Sequence, residues 1–127
     1  MLENVIENLA NHGVVEVVLS MGFQPFAFVN SYPDEMCAGL PLKYAIEPEP
    51  LDTAGAIRFA ALQSGVDETF LVCNGDVITE TDISELASYH KKVGAEATIS
   101  LTPADNPSQY GIVPTDDVGK VTGFIEK

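Results

Sequence analysis

The run Phe70-Leu71-Val72-Cys73-Asn74-Gly75-Asp76-Val77 constrains the fold more than any other stretch of the 127-residue chain. Its apolar residues follow one another without alternation. That is the pattern of a strand covered on both faces, as in a parallel sheet flanked by helices. Asn74-Gly75 interrupts the run, because glycine accepts backbone angles that other residues avoid. Asp76 is thereby expected just past the carboxyl end of a central strand, where open α/β sheets bind ligands. A carboxylate there suits Mg²⁺, a hard cation held by one or two carboxylates together with substrate phosphates. Taken alone, Asp76 reads first as a turn residue capping the next helix.

The flanking chain supplies the partners of such a strand. Leu2, Val5, Ile6 and Leu9 are spaced for one face of a helix over residues 2–11, with Gly13 as its C-terminal cap. Val14–Leu19 is β-branched and apolar and predicts a short buried strand. Pro25 is placed to open a short helix reaching about Tyr32. Leu42–Ile46 reads as a strand, and Glu47-Pro48-Glu49-Pro50 as an extended segment. Thr53 is the expected N-cap of a helix that Gly65 ends. Thr79 or Thr81 is expected to cap a helix carrying Ile83, Leu86 and Tyr89, closed by Gly94. Strands are expected over 97–102, 110–113 and 120–127, the last two forming a hairpin around Asp116–Gly119. Helices alternating with strands, followed by a strand-rich end, predict an α/β protein: a three-layer α/β/α, Rossmann-like sandwich with a mainly parallel sheet.

Nineteen acidic residues against six basic ones give a net charge of −13. That balance argues against nucleic acid or an anionic membrane as partner. No apolar run approaches the ~20 residues of a membrane-spanning helix. The N-terminus lacks a basic region and a signal-peptide core, and two cysteines make no disulfide framework, so a cytoplasmic protein is expected. Cys73 is expected to be a small core residue. His12 and His90 stand at helix ends, and with Cys37 and Cys73 they form no zinc pattern.

Three segments, in order, resemble the sugar-1-phosphate nucleotidyltransferases, most nearly the mannose-1-phosphate guanylyltransferase type. Glu49-Pro50-Leu51-Asp52-Thr53-Ala54-Gly55-Ala56 is similar to a family segment, E-x-L-G-T-A-G, that lies against the nucleobase. Asn74-Gly75-Asp76 resembles a strand-end G-D whose aspartate holds Mg²⁺. Tyr110-Gly111-Ile112-Val113 with Phe124-Ile125-Glu126-Lys127 resembles a Y-G-V…F-x-E-K pair at the sugar. The resemblance implies nucleotide contacts from Thr53, Ala54 and Gly55. It implies sugar-phosphate contacts from Gly111, Glu126 and Lys127, and a metal contact from Asp76. It implies a nucleoside triphosphate and a sugar 1-phosphate as partners, and Mg²⁺ as cofactor.

The family pattern also has elements that residues 1–127 lack: an opening strand, a Gly-rich phosphate loop with its arginine, and a second metal-binding aspartate. Residues 1–127 therefore read as a single partial nucleotidyltransferase-like domain, with little or no turnover expected of the isolated chain. The alternative is a non-catalytic truncated domain acting by weak sugar-phosphate or nucleotide binding, or by self-association. The opening strand is central in the family sheet. Its absence predicts two open strand edges, or direct pairing of the strands at 14–19 and 70–73; open edges predict a homodimer or swapped assembly.

Overall fold

A computed structural model describes residues 1–103, 106 and 110–126. The chain forms two compact units, Met1–Glu85 and Leu86–Lys127. In chain order the elements are α1 (Leu2–Asn11), β1 (Val17–Met21), α2 (Pro25–Ser31), β2 (Met36–Cys37), β3 (Leu40–Ile46), α3 (Asp52–Ser64) and α4 (Ile83–Val93). No helix among the described residues is long and apolar enough to cross a membrane.

The first unit is built on a mixed three-stranded sheet in the order β1-β3-β2. β1 and β3 are parallel, with Val17 opposite Leu42 and Met21 opposite Ile46. β2 and β3 are antiparallel, with Cys37 opposite Leu40. The two residues between them, Ala38 and Gly39, both have positive φ (48° and 79°). That is the signature of a type I′ hairpin turn, whose twist matches that of the strands. Leu40, Leu42 and Ala45 of β3 are buried, and they join Ile6, Leu9, Met21, Cys37 and Ala60 in the small set of buried apolar residues.

The helices form where the sequence periodicity places them, and their ends explain several shifts. At the end of α1 the Gly13 N–H donates to Ala10 (3.1 Å) and the Val14 N–H to Leu9 (3.2 Å), with Gly13 at φ 82°. This is the glycine-centred closure that satisfies the last helical carbonyls. It draws Val14 into the helix terminus, so the strand expected from Val14 begins only at Val17. α3 ends the same way, with Gly65 N–H to Leu62 and Val66 N–H to Ala61. Neither Thr79 nor Thr81 caps α4. The Asp82 carboxylate does, accepting the Glu85 N–H at 2.9 Å.

The largest departure concerns residues 70–73. They belong to no strand, and Phe70, Leu71 and Val72 are 49%, 40% and 52% exposed. Cys73 is exposed as well, not a core residue. An unbroken apolar run marks a strand only when a neighbour pairs with each edge and a layer covers each face. Here the sheet ends at β1, and residues 70–73 pair with no strand among the described residues. The run 97–102 is likewise assigned to no strand, and Ile99 and Leu101 are exposed.

In the second unit, Ile112 with Ile125 and Thr115 with Val121 form isolated antiparallel bridges around a tight turn. Asp116 organises that turn: its carboxylate accepts the N–H groups of Val118 (3.1 Å) and Lys120 (2.8 Å). His90 bonds the Thr98 hydroxyl at 2.9 Å.

Beside the core, burial pushes the Cys37 thiol up, an effect reduced by a hydrogen bond from Tyr32. Burial also raises the phenols of Tyr32, with Cys37 adding to it, and of Tyr44, with Glu35 adding to it. In each case the fold favours the protonated form. The unfolded chain therefore ionises first as pH rises past the ordinary values of 9.0 for the thiol and 10.0 for the phenols. Their stabilisation is complete below pH 9.0 and is lost above it. The thermal midpoint is expected to fall on titration from pH 9 towards pH 11. In Tyr44→Phe the upper part of that fall should be shallower. An unchanged alkaline limb in the variant would contradict this assignment.

Candidate functional site

A groove of about 930 Å³ lies in the first unit, lined by β1, residues 69–73, Gly75 and Asp76. Val17–Met21 of β1 and Phe70–Cys73 both line it. Leu2 and Val5 of α1 and Ile57 and Ala60 of α3 also line it. Gly75 lies against Leu2: a Cβ on Gly75 would stand 3.5 Å from its Cδ1. Asp76 follows at the groove surface. Asp76 was expected past the carboxyl end of a central strand; residues 70–73 form no strand, and Asp76 lines the groove in a turn that follows them.

The charges around the groove are uneven. Glu16, Asp67, Glu68 and Asp76 line it with a single cation, Lys43. Lys43 already pairs with Glu16 at 2.9 Å and donates to the Ser64 carbonyl at 3.4 Å. Three carboxylates are left without a basic partner from the lining itself.

The start of α3 is held by a residue that the sequence reading left as plain extended chain. The Glu47 carboxylate accepts the Leu51 N–H at 3.1 Å and the Ser20 hydroxyl at 3.4 Å. Its own N–H donates to the Met21 carbonyl at 2.9 Å. One side chain thereby ties the ends of β1 and β3 to the helix N-terminus. The available signal was a carboxylate four residues ahead of a helix start, with prolines between that fix the chain direction.

Leu51, not Thr53, is the N-cap of α3. Asp52 has φ 56°, in the left-handed region. The resemblance sets Gly at this position, and the backbone supplies the reason; aspartate is among the few other residues that tolerate it. Thr53 and Ala54 are exposed on the first turn of α3. At Gly55 a Cβ would stand only 2.9 Å from the Leu51 Cβ. Gly55 therefore has a packing role in addition to any ligand role. Alanine is the better helix former by ~1 kcal/mol, yet crowding of this kind costs ~1–3 kcal/mol. Gly55→Ala is expected to lose about 1 kcal/mol net, read from the midpoint of urea unfolding; a gain would show that Leu51 yields freely.

Among the described residues no three His, Cys, Asp or Glu side chains cluster as a metal site. Asp76 fits the more limited role of one carboxylate on a Mg²⁺ whose other ligands are phosphate and water. In the second unit, the Ile112–Ile125 bridge sets Gly111 and Glu126 across from one another on neighbouring segments. Gly111 has room there, since a Cβ would stand 3.6 Å from the Ile125 carbonyl. Glu126 is exposed, and Lys127 lies outside the described residues.

The Nucleotidyl transferase family matches this sequence over residues 1–127. The chain belongs to that family. Similar relatives include probable mannose-1-phosphate guanylyltransferase 1 of Oryza sativa subsp. japonica, 42% identical over 131 residues. Mannose-1-phosphate guanylyltransferase 1 of Arabidopsis thaliana is 40% identical. In both, the match covers all of this chain and 36% of the relative. The chain thus spans about a third of the length of the curated relatives it matches. The crystal structure of HddC from Yersinia pseudotuberculosis complexed with GMP-PN is similar in fold, with a TM-score of 0.83 and 27% identity. That similarity covers 99% of this chain and 55% of HddC.

Proposed function

We propose that residues 1–127 form part of a sugar-1-phosphate nucleotidyltransferase of the GDP-mannose type. Such an enzyme joins a nucleoside triphosphate and a sugar 1-phosphate into a nucleotide sugar and releases pyrophosphate. The observation that carries this reading is the family match along the whole chain, with relatives named for mannose-1-phosphate guanylyl transfer. Supporting it, Gly75-Asp76 borders a groove and the small residues at the start of α3 keep that turn low.

In the reaction an oxygen of the sugar phosphate attacks the α-phosphorus, and the bond to pyrophosphate breaks. Catalysis of such a displacement is mostly positioning and charge neutralisation. Thr53, Ala54 and Gly55 are assigned to the nucleobase, and Gly111, Glu126 and Lys127 to the sugar phosphate. Asp76 is the carboxylate that would meet Mg²⁺, which supplies charge neutralisation when bound with the nucleotide. The same reading takes the fold as one partial domain in a cytoplasmic protein. Its sheet would be mainly parallel within a three-layer sandwich, and the bridged segments of the second unit would close as a C-terminal hairpin. Loss of a single charge-stabilising element costs roughly 10²–10³ in rate. The isolated chain, without a phosphate loop, should bind ligand but turn it over little or not at all.

Titration calorimetry with GTP, GDP-mannose and mannose 1-phosphate, with and without Mg²⁺, tests this reading. Heat with a nucleotide or sugar phosphate supports it, and silence with all three from a folded chain overturns it. A second reading, a non-catalytic domain that self-associates, is favoured by the edge of β1 that no strand among the described residues pairs with. Light scattering at high concentration decides it, since a strict monomer removes the homodimer or swapped assembly on which it depends.

A further inference from the structure

We propose that Asn74 is a self-modification site: it converts to isoaspartate without an enzyme and lengthens the main chain just ahead of Asp76. Asparagine is chemically labile in this way. The backbone nitrogen of the next residue attacks the side-chain amide carbon. A bond forms from the Gly75 N to the Asn74 Cγ, the bond from Cγ to the side-chain nitrogen breaks, and ammonia leaves with the proton of the Gly75 N–H. Water then opens the cyclic imide. Where it adds at the former main-chain carbonyl, the chain runs on through the Asn74 side chain, one methylene longer, and a new carboxylate stands on Cα. The net change consumes an amide and a water and yields a carboxylate and ammonium.

The reaction needs a free nitrogen and a following residue that lets it approach. Asn74 is the only asparagine of six that is followed by glycine. Without a Cβ on Gly75, nothing crowds its nitrogen on the way to Cγ. Asn74, Gly75 and Asp76 are all exposed. The Val77 N–H donates to the Asn74 carbonyl at 3.3 Å, closing a turn whose bond engages Val77 and not Gly75. Among the described residues neither the Gly75 N–H nor the Asn74 side-chain amide has a hydrogen-bond partner. The other asparagines lack one requirement or more. After Asn4, the Val5 N–H donates to the Met1 carbonyl at 3.2 Å; after Asn11, the His12 N–H donates to the Leu9 carbonyl at 3.1 Å. Leu9 and Ser31, which follow Asn8 and Asn30, lie inside α1 and α2, where the helical ladder holds their N–H groups. Pro107, which follows Asn106, has no N–H.

The place of the site gives the modification a consequence. Gly75 and Asp76 line the groove. An added methylene immediately before them moves the Asp76 carboxylate. The new carboxylate adds negative charge beside a groove whose lining cation, Lys43, is already engaged by Glu16. Resting on the nucleotidyltransferase reading, the converted chain loses its Mg²⁺-dependent hold on nucleotide.

The test incubates the full 127-residue chain at neutral pH and body temperature in reducing buffer, beside the synthetic peptide LVCNGDVI. Asn74 is followed by peptide-mapping mass spectrometry and by isoaspartyl methylation. Isoaspartate should accumulate there within roughly tenfold of the peptide's rate, since an exposed turn needs little opening. Gly75→Ala should slow it by roughly tenfold or more. A Cβ at that position stands 3.5 Å from the Leu2 Cδ1, an ordinary contact, so the variant keeps the fold. Asn74→Gln, whose longer side chain closes a larger ring, should slow conversion as well. Asn74 left intact while the peptide converts overturns the proposal. So does isoaspartate appearing equally at Asn4, Asn8, Asn11 or Asn30, or Gly75→Ala converting as fast as the parent. These masses need no nucleotide, so their failure is separable from failure of the nucleotidyltransferase reading. In calorimetry with GTP, the Mg²⁺-dependent heat of fresh chain should disappear as Asn74 converts, and equal heat from fresh and converted chain overturns the link to Asp76. Silence from fresh chain counts against the nucleotidyltransferase reading alone.

Discussion

Ile6→Ala is expected to abolish the cooperative unfolding transition of the first unit at ordinary temperature, or to lower its midpoint by roughly 12–24 °C. Ile6 is the largest fully buried side chain, 1% exposed, and it packs with Cys37, Leu40 and Leu42. Truncating a buried isoleucine removes its transfer free energy and leaves a cavity, together about 2–5 kcal/mol. Two features keep this site off the mild end of that range. The core is small: among the described residues only eight apolar residues are buried. Its neighbours are also fixed: Leu40 and Leu42 are held by the β3 ladder, and Cys37 by its pairing with Leu40, so collapse around the gap is limited. Native stabilities of domains are about 5–15 kcal/mol, so a loss of ~3 kcal/mol is a large share of what so small a core supplies. Ile6→Val, which removes one methylene, should cost about 1 kcal/mol. Phe26→Ala, at a side chain 71% exposed on α2, should change stability by less than about 0.5 kcal/mol. If the Phe26 and Ile6 variants lost equal stability, the core would lie elsewhere.

The same burial shows which features were legible in the sequence. The four long or proline-initiated helices follow from periodicity and end signals, because those are local and backbone-determined. Leu2, Val5, Ile6 and Leu9 share a face wherever α1 packs, and Gly13 and Gly65 end helices by their own left-handed geometry. Strands depend on neighbours distant in sequence. Phe70–Val72 has the composition of a central strand, but among the described residues no strand pairs with it. β2 was missed for the opposite reason: Ala38-Gly39 makes a type I′ turn without the Asn-Gly or Asp-Gly pair that usually announces one. Caps were misplaced where two candidates compete. Asp82 takes the cap of α4 while Thr79 and Thr81 bond each other at 2.8 Å. At α3 the Glu47 carboxylate satisfies the first N–H from four residues away, so Thr53 is not needed as a cap. Of the site, the order of the motifs was readable and the groove was not. A groove is a property of what the sheet leaves unpaired, and no single segment encodes it.

Asp76→Ala is expected to remove the Mg²⁺-dependent part of GTP binding, weakening affinity at least tenfold with Mg²⁺ and leaving the metal-free signal unchanged. A tenfold loss corresponds to about 1.4 kcal/mol, within the range of one charge-assisted contact. The argument rests on what the chain brings to the ion. Mg²⁺ dehydrates reluctantly and is held by one or two carboxylates plus phosphates and water. The described residues offer no three-ligand cluster, so the ion should not be retained without nucleotide. Metal and nucleotide should therefore bind together or not at all, and calorimetry with Mg²⁺ alone should be silent. Because Asp76 is exposed, its removal should change the unfolding midpoint little, which separates a lost contact from a lost fold. Asp67→Asn provides the local control: it removes one charge from the same groove without touching the Gly75-Asp76 turn. If Asp67→Asn and Asp76→Ala weakened GTP binding equally, the ion would be responding to the general field of the acidic groove and not to one ligand. A loss confined to Asp76→Ala would assign the metal contact to that carboxylate and make Gly75-Asp76 the fixed point around which the nucleotide is placed.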